Sequence, residues 1–514
     1  MNSDTNSDVN KTNAAQINSA NGNEQKTDGK KEPFRLIKRM KSLILLLTVE
    51  PFLVCYIIPT ILSSTAMQKF NMEKACRVDL NQTEEVCRKV VEGIQDDNTT
   101  IEALKKASVL VADMTAWREP ITFGIPALMI LFVGAWSDKT GNRKYLLLIP
   151  VIGEIGSLVG ILAGTYFFLE WPLWVMALIE ASSSTFTGGL YVILMGSYSY
   201  LADVTTPESR TFRMGVAGVL VSLGSPLANA ISGILTVNLG YFGIFGISLA
   251  MYMFCFFYAL IRIQDVRRVE IEGSFFHKLI SFFHPKNVWG TLSLVFTSRG
   301  KQLLKITLVI CAHIVIQGPV AGEQACLYLY TLNRYQMGLV DQSLYTTFAL
   351  IMGLVGTSLA MGIFVKWLKV HDGLLGIIAT TSNLLSTLTS GLAPTREYFF
   401  AGPVLGIFGG PASTAVRSLG TKIVQPDQVG KMCSLIGFVE ALLPVIYMPL
   451  YTKIYSNTIN TFPGAFYIVG AIMTVPDIII FGSFYIMHRR QQRDAVTHPE
   501  VKEMHVYEND VTAF

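Results

Sequence analysis

Residues 134–144 read GAWSDKTGNRK and lie between two long apolar runs, so the spacing G-x-x-x-D-x-x-G-x-R-K governs how the flanking segments are read. Gly134 and Gly141 allow two helices to approach and turn tightly. Asp138 sits where it can pair with a cation or cap a helix N-terminus on a neighbouring bundle. Arg143 and Lys144 concentrate positive charge at the turn. Two readings stay open. In one, the stretch is a basic turn that fixes topology and nothing more; in the other, Asp138 belongs to a breakable polar latch between bundles that move against each other.

Composition decides the class around that turn. Over 514 residues, 51% are hydrophobic and only 15% charged, and the apolar residues fall in runs too long for an ordinary soluble domain. The chain is expected to be an all-α polytopic membrane protein. Its formal charge of +4 is too small for a nucleic-acid footprint, so no nucleic-acid partner is expected. Spans of about twenty apolar residues fall near 43–66, 119–136, 145–168, 172–196, 212–237, 242–262, 304–331, 343–368, 373–394, 398–420, 433–454 and 464–487. Six precede a polar connection at 263–303 and six follow it, which predicts twelve transmembrane helices in two six-helix bundles, 33–262 and 304–488, joined by a cytosolic linker. GIFVKWLKVHDG at 362–373 is a degenerate echo of the opening stretch at the equivalent place in the second half.

The short loops on one side carry Lys139, Arg143, Lys144, Arg210, Arg213, Lys366, Lys369, Lys422 and Lys431, against Arg334, Arg396 and Lys453 on the other. That asymmetry predicts cytosolic termini. Residues 1–32, rich in Asn, Ser, Asp, Lys and Thr, have too little apolar surface to offset chain entropy and read as a disordered tail; 489–514 reads as a second tail. No apolar run precedes residue 43, so the first helix is expected to act as its own signal anchor. The long external loop, 67–118, holds N-x-T sequons at Asn81 and Asn98, predicting a glycoprotein, and Cys76 and Cys87, which could close a disulfide in an oxidising compartment. The remaining five of 7 cysteines lie in or beside helices, and no Cys or His spacing suggests a metal site.

Ionisable residues inside apolar spans cost about 2.5–3.5 kcal/mol each at mid-membrane, so a helix that keeps one is expected to face a cavity or a partner. They are Glu50, Glu154, Glu180, His313, Glu323, Arg417, Glu440 and Asp477. Each could equally be a satisfied buried group or one snorkelling to the interface. Arg417 and Glu440 fall on consecutive antiparallel helices at depths differing by roughly 6 Å, within an arginine's reach. Arg417 is therefore read either as an anion-binding or coupling residue or as one arm of a structural bridge.

GAWSD at 134–138, Val49-Glu50-Pro51 before the first helix and ADVTTPESRTFRMG at 202–215 together resemble the proton-coupled folate transporter family of the major facilitator superfamily, along nearly all of 43–488. RTFRM at 210–214 is the most specific element. The resemblance implies two six-helix bundles around a central cavity, rocking between inward-open and outward-open states, with a proton as the coupling ion and no other cofactor. It implies roles for Asp138 in the signature loop, Arg417 in substrate and proton coupling and Glu440 on the eleventh helix. Departures accompany it: Gly218 stands where the folate-transporting member has a glutamate, Val320 where it has a histidine, with Glu323 about one turn later. The family's second loop cysteine has no counterpart in 332–342. Folate is therefore not the expected substrate. The expected activity is transport of a small organic, anionic solute, with Glu323, Arg417, Glu440, His313 and Glu50 as candidate coupling residues, in a plasma or endolysosomal membrane. A transceptor with the same fold is the alternative. An enzyme is not expected, since no H-E-x-x-H, Gly-flanked serine nucleophile or phosphate-cradling loop is found. The oligomeric state is not legible in the sequence.

Overall fold

The computed structural model describes residues 48–205, 207–265, 299–424 and 429–497. The expected N-terminal tail, most of the linker at 263–303 and the end of the chain lie outside the described residues. Two compact units are resolved, 1–51 and 52–514. Of the first, only 48–51 are described. There Glu50 Oε2 accepts hydrogen bonds from the backbone N–H groups of Thr48 (3.0 Å) and Val49 (3.1 Å), the use expected of a carboxylate at a helix start.

The described part of the second unit is helical throughout. Its elements are α1 (Glu50–Lys74, which begins in the first unit), α2 (Glu84–Glu92), α3 (Asn98–Thr140), α4 (Lys144–Tyr166), α5 (Leu173–Thr187), α6 (Gly189–Val204) and α7 (Pro207–Arg262) in the first half. The second half comprises α8 (Gly300–Tyr335), α9 (Leu339–Ala360), α10 (Asp372–Leu392), α11 (Arg396–Leu405), α12 (Pro411–Ile423), α13 (Val429–Thr458) and α14 (Ala465–Thr497). Among the described residues, eight stretches are long and apolar enough to cross a membrane. One of them, Val216–Arg262, has 47 residues, roughly 70 Å of helix against a hydrocarbon layer of about 30 Å. It breaks at Gly240, whose φ of 66° is accessible to a residue without a Cβ, and so makes two crossings. The other crossings, through α3, α10 and the α11–α12 pair, are diluted by polar residues or broken. With them the chain has the twelve helices of two six-helix bundles.

Two of the crossings are interrupted. Between α5 and α6, Gly188 and Gly189 both take positive φ. Between α11 and α12 the backbone leaves the helix at 406–410, and Ser382 on α10 takes up the freed groups: its hydroxyl donates to Leu405 O (2.6 Å) and accepts from Phe408 N (3.2 Å). Inside a bilayer such a break persists only where neighbouring groups re-satisfy it. Close packing brings α8 to α13: a Cβ at Gly318 or Gly322 would fall inside the rings of Tyr447 and Tyr451.

The expected loop at 67–118 is corrected. α1 runs on to Lys74 and ends in a π-helical turn, Ala75–Asp79; α2 follows; and α3 begins at Asn98, some twenty residues before the predicted span. Thr100, Ala103, Leu104, Ala107, Ser108, Val111 and Ala112 are buried, a helical repeat that extends α3 outward from the bilayer. Asp97 caps it, accepting from Thr100 N at 2.6 Å. The Thr99 hydroxyl and that N–H hold its carboxyl down at about 2, so the cap stays ionised in any acidic compartment. Cys76 and Cys87 form a disulfide with a Cα–Cα distance of 5.6 Å, tying α2 to the end of α1. The tail expected over 489–514 is also shorter, because α14 continues to Thr497.

The two halves meet at the α2 end of the bundle. Gln95 Nε2 donates to Asn333 O (2.9 Å), Asn333 Nδ2 to Ser108 Oγ (2.7 Å), and Lys453 Nζ to Asp113 Oδ1 (2.6 Å). Beside them α7 runs against α9 at Gly233, where a Cβ would meet Val340 Cα at 2.9 Å and Leu339 O at 3.0 Å.

Asn81 and Asn98 are both exposed at this end. An N-glycosidase is therefore expected to increase the gel mobility of the protein expressed in secretory cells, and Asn81→Gln with Asn98→Gln to abolish the change; a persisting shift would place glycosylation elsewhere. Gly233→Val sets two methyl groups against backbone that cannot yield. We expect it to open the α2 end, so that a cysteine introduced at Gln342 reacts several-fold faster with a membrane-impermeant thiol reagent. An unchanged rate would show that this contact does not hold the closure.

Candidate functional site: a polar cavity shared by both halves

Beneath the closed end lies a chamber of about 500 Å³, within the range of small-molecule sites. Its walls come from both halves. α1 supplies Ser64, Thr65 and Gln68; α7 supplies Ser225 and Asn229; α8 supplies Glu323 and Gln324. From α9 come Gln342, Tyr345 and Thr346, and from α10 Ser386, Thr387 and Ser390. Thr380 and Thr387 on α10 bond back to their own helix, Thr387 Oγ1 to Asn383 O at 3.0 Å, so these hydroxyls sit in the membrane without demanding outside partners. Gln68 Oε1, Gln342 Oε1 and Glu323 Oε1 are buried acceptors with no hydrogen-bond partner. A polar solute would supply one.

A second chamber of about 310 Å³ shares Ser64, Gln68 and Gln324 with the first. It holds an ionic cluster that the span-by-span reading of the sequence missed. Arg118 on α3 donates through Nη1 to Glu180 Oε2 on α5, and through Nη2 and Nε (3.2 Å) to Glu119 Oε1. The side chains are mostly buried, 16% exposed for Arg118 and Glu180 and 9% for Glu119. Asn71 on α1 donates to Glu180 at 3.4 Å. Arg118 falls in the expected loop because the apolar span begins at Glu119-Pro120. The signal that finds it is the helical spacing of the buried residues from Thr100 to Ala112, which carries the helix through Arg118.

The predicted coupling residues divide between several places. Glu323 lines the main chamber, and its carboxylate packs against Gly470 of α14, where an added Cβ would meet Oε1 at 2.6 Å. Arg417 and Glu440 form an ion pair between α12 and α13, with Gln317 Nε2 donating to Glu440 Oε1 at 3.4 Å. Neither residue lines the two chambers. His313 is fully buried on α8, with both ring nitrogens unpartnered. Glu50, expected as a coupling candidate, caps its own helix start. Elsewhere Glu154 accepts from Tyr56 OH at 3.0 Å, and Asp477 is buried with both oxygens unpartnered. In the opening stretch, the side chains of Gly134 and Asp138 lie outside the described residues. Gly141 closes α3 with φ of 68°. Arg143 Nε binds Asp203 Oδ2 (2.9 Å), the Arg143 and Lys144 N–H groups both donate to Asp265 Oδ1 (2.8 Å), and Lys144 Nζ reaches Leu260 O (2.6 Å). These bonds tie α4 to the ends of α6 and α7 within the first half.

A family model described as Major Facilitator Superfamily matches residues 112–446. The probable peptidoglycan muropeptide transporter SLC46 of Drosophila melanogaster is 23% identical over 470 residues, 88% of this chain and 88% of that protein. The lysosomal proton-coupled steroid conjugate and bile acid symporter SLC46A3 of Gallus gallus is 23% identical, covering 83% of this chain and 91% of its own length. The proton-coupled folate transporter of Rattus norvegicus is 22% identical, covering 73% and 80%. Among solved structures, the human organic anion transporter MFSD10 (TETRAN) superposes with a TM-score of 0.54 at 14% identity, over 84% of this chain and 99% of that one. The three relatives are named as transporters or symporters, and the solved structure shares the fold. The chain is a multi-pass membrane transporter that belongs to the major facilitator superfamily.

Proposed function

We propose that the chain moves a small organic solute bearing an anionic group, together with protons, by alternating access across a plasma or endolysosomal membrane, with both termini in the cytosol. The observation that carries this reading is the main chamber itself: both halves wall it, buried acceptors inside it lack partners, and the interhalf bonds of Gln95, Asn333 and Lys453 roof it at the α2 end. Breaking those bonds and closing the opposite end would present the same chamber to the other side. Proton coupling is drawn from the names of two relatives, a steroid conjugate and bile acid symporter and a folate transporter. Within the chamber Glu323 is the carboxyl we assign to the proton, because it lines the solute space and has an unpartnered oxygen. Arg417, held by Glu440, is assigned to the capture of the anion before it reaches the chamber. Asp138 is assigned to the latch at the cytosolic end.

The test is uptake into proteoliposomes of purified protein, read by mass spectrometry over conjugated steroids, folates and muropeptides. A pH difference of one unit is worth about 1.4 kcal/mol per proton, roughly tenfold accumulation, and a protonophore should abolish it. Absence of gradient-driven accumulation across the panel would overturn the reading. Glu323→Gln is expected to bring the accumulation ratio to about one while leaving solute exchange. Unchanged pH dependence would remove Glu323 as the carrier and move the assignment to Glu440. Asp138→Asn is expected to lower transport by roughly tenfold or more at normal surface expression, as a lost charge-assisted bond predicts; loss of expression alone would return the stretch to a topogenic turn.

A further inference from the structure

We infer that Arg118, Glu119 and Glu180 form a binding site at which an amphipathic organic anion can be taken up only together with a proton. The inference deepens the transporter reading and rests on it for its meaning.

The geometry of the guanidinium comes first. Its Nη1 edge is occupied by Glu180, and its Nη2 and Nε donors by Glu119. With both carboxylates ionised, two negative charges face one positive charge, and the cluster carries a net negative charge. A solute anion entering the chamber meets a repulsive field, with three of the five Arg118 N–H donors committed to carboxylates. One proton on Glu180 relieves both conditions. The cluster becomes neutral, and Glu180 turns from an acceptor into a donor that no longer needs Nη1.

A neighbouring group is placed to receive that proton's hydrogen bond. Asn71 already donates its Nδ2 to Glu180 at 3.4 Å, and the Oδ1 of the same amide is buried without a partner. Asn71 is 3% exposed. Tyr328 on α8, also 3% exposed, brings an unpartnered hydroxyl to the same chamber. The groups packed around Arg118 from the other elements are thus Asn71 from α1, Glu180 from α5, Gln324 and Tyr328 from α8 and Met448 from α13, of which Glu180 is the charged one. Once Glu180 is protonated and swings to Asn71 Oδ1, Nη1 and Tyr328 OH are both free to serve a solute anion.

The remainder of the wall describes the rest of the solute. Met67, Met114, Met448 and Phe123 line the same chamber. Thioether side chains adapt to irregular apolar shapes, so the site suits a bulky apolar body with a sulfate, sulfonate or carboxylate at one end. Ser64, Gln68 and Gln324 stand between this chamber and that of Glu323, lining both. Glu180 conditions binding, therefore, while Glu323 remains the residue assigned to coupled accumulation.

Binding of radiolabelled estrone sulfate to the full chain in nanodiscs tests the site, since this probe stays ionised from about pH 5.5 to 7.5 and any pH effect comes from the protein. Wild-type affinity is expected to rise at least about tenfold across that fall in pH. Glu180→Gln should bind with the acidic affinity at both pH values, and Glu102→Gln, at an exposed α3 carboxylate that lines neither chamber, should keep the wild-type step. Arg118→Gln should lose about tenfold or more for estrone sulfate yet bind uncharged estrone as before. Because Arg118→Gln leaves two buried carboxylates, the double variant Arg118→Gln/Glu180→Gln is measured beside it and should show the same loss. A preserved pH step in Glu180→Gln, full affinity in either Arg118 variant, or no wild-type binding at either pH would overturn the site. A pH step in binding without gradient-driven accumulation would keep the site and remove the transporter reading; accumulation with Arg118-independent binding would do the reverse.

Discussion

Hydrocarbon offers a peptide group no partner, and the rest of this structure follows from that constraint. Each crossing must complete its own hydrogen bonds, so the chain is helical, and every departure from helix needs a named substitute. The break at 406–410 leans on Ser382. The α5–α6 break falls on two glycines. On the polar helix α10, Thr380 and Thr387 return their hydroxyls to carbonyls of their own helix. What remains unsatisfied is confined to groups that line the two chambers or lie buried close to the helix packing, which is why unpartnered acceptors are informative here: in lipid-facing positions they would cost several kcal/mol each.

The same constraint separates two kinds of charge. Arg143, Lys144, Asp203 and Asp265 knit helix ends together at the water edge, where ion pairs contribute little and chiefly fix geometry. Arg118 with Glu119 and Glu180 is another matter, because the cluster is largely buried and one carboxylate exceeds the positive charge available. Nature retains such arrangements against a desolvation penalty when they do something a hydrophobic cluster cannot. In a two-sided cavity, the useful property is that a proton or an anion changes the cluster's charge.

The fold was legible because apolar length is a strong signal. The spans, the two halves and the basic-loop asymmetry all rest on composition, and the family motifs at 134–144 and 202–215 narrowed it further. The pairing of Arg417 with Glu440 was legible too, since two consecutive antiparallel helices fix relative depth. The chambers were not. They depend on which face of each helix points inward, and α3 carries no apolar contrast sharp enough to say so. Arg118 was lost through a boundary error: the hydrophobic window began where the charges ended, although the helix is set by the buried spacing upstream of it. Glu50, inside the first expected span, has a use the sequence does not display: it accepts the N–H groups of Thr48 and Val49.

Gly240 turns the chain from one crossing to the next on a single residue of positive φ. Lineages of this protein consequently have little freedom of length at that corner. An added or missing residue would rotate one of the two flanking helices by about 100° relative to the other and present a different face to the cavity. The α1–α2 connection, though exposed at 81–85, is held in a different way: the Cys76–Cys87 disulfide spans it and Thr83 caps α2, so its ends stay fixed whatever lies between them.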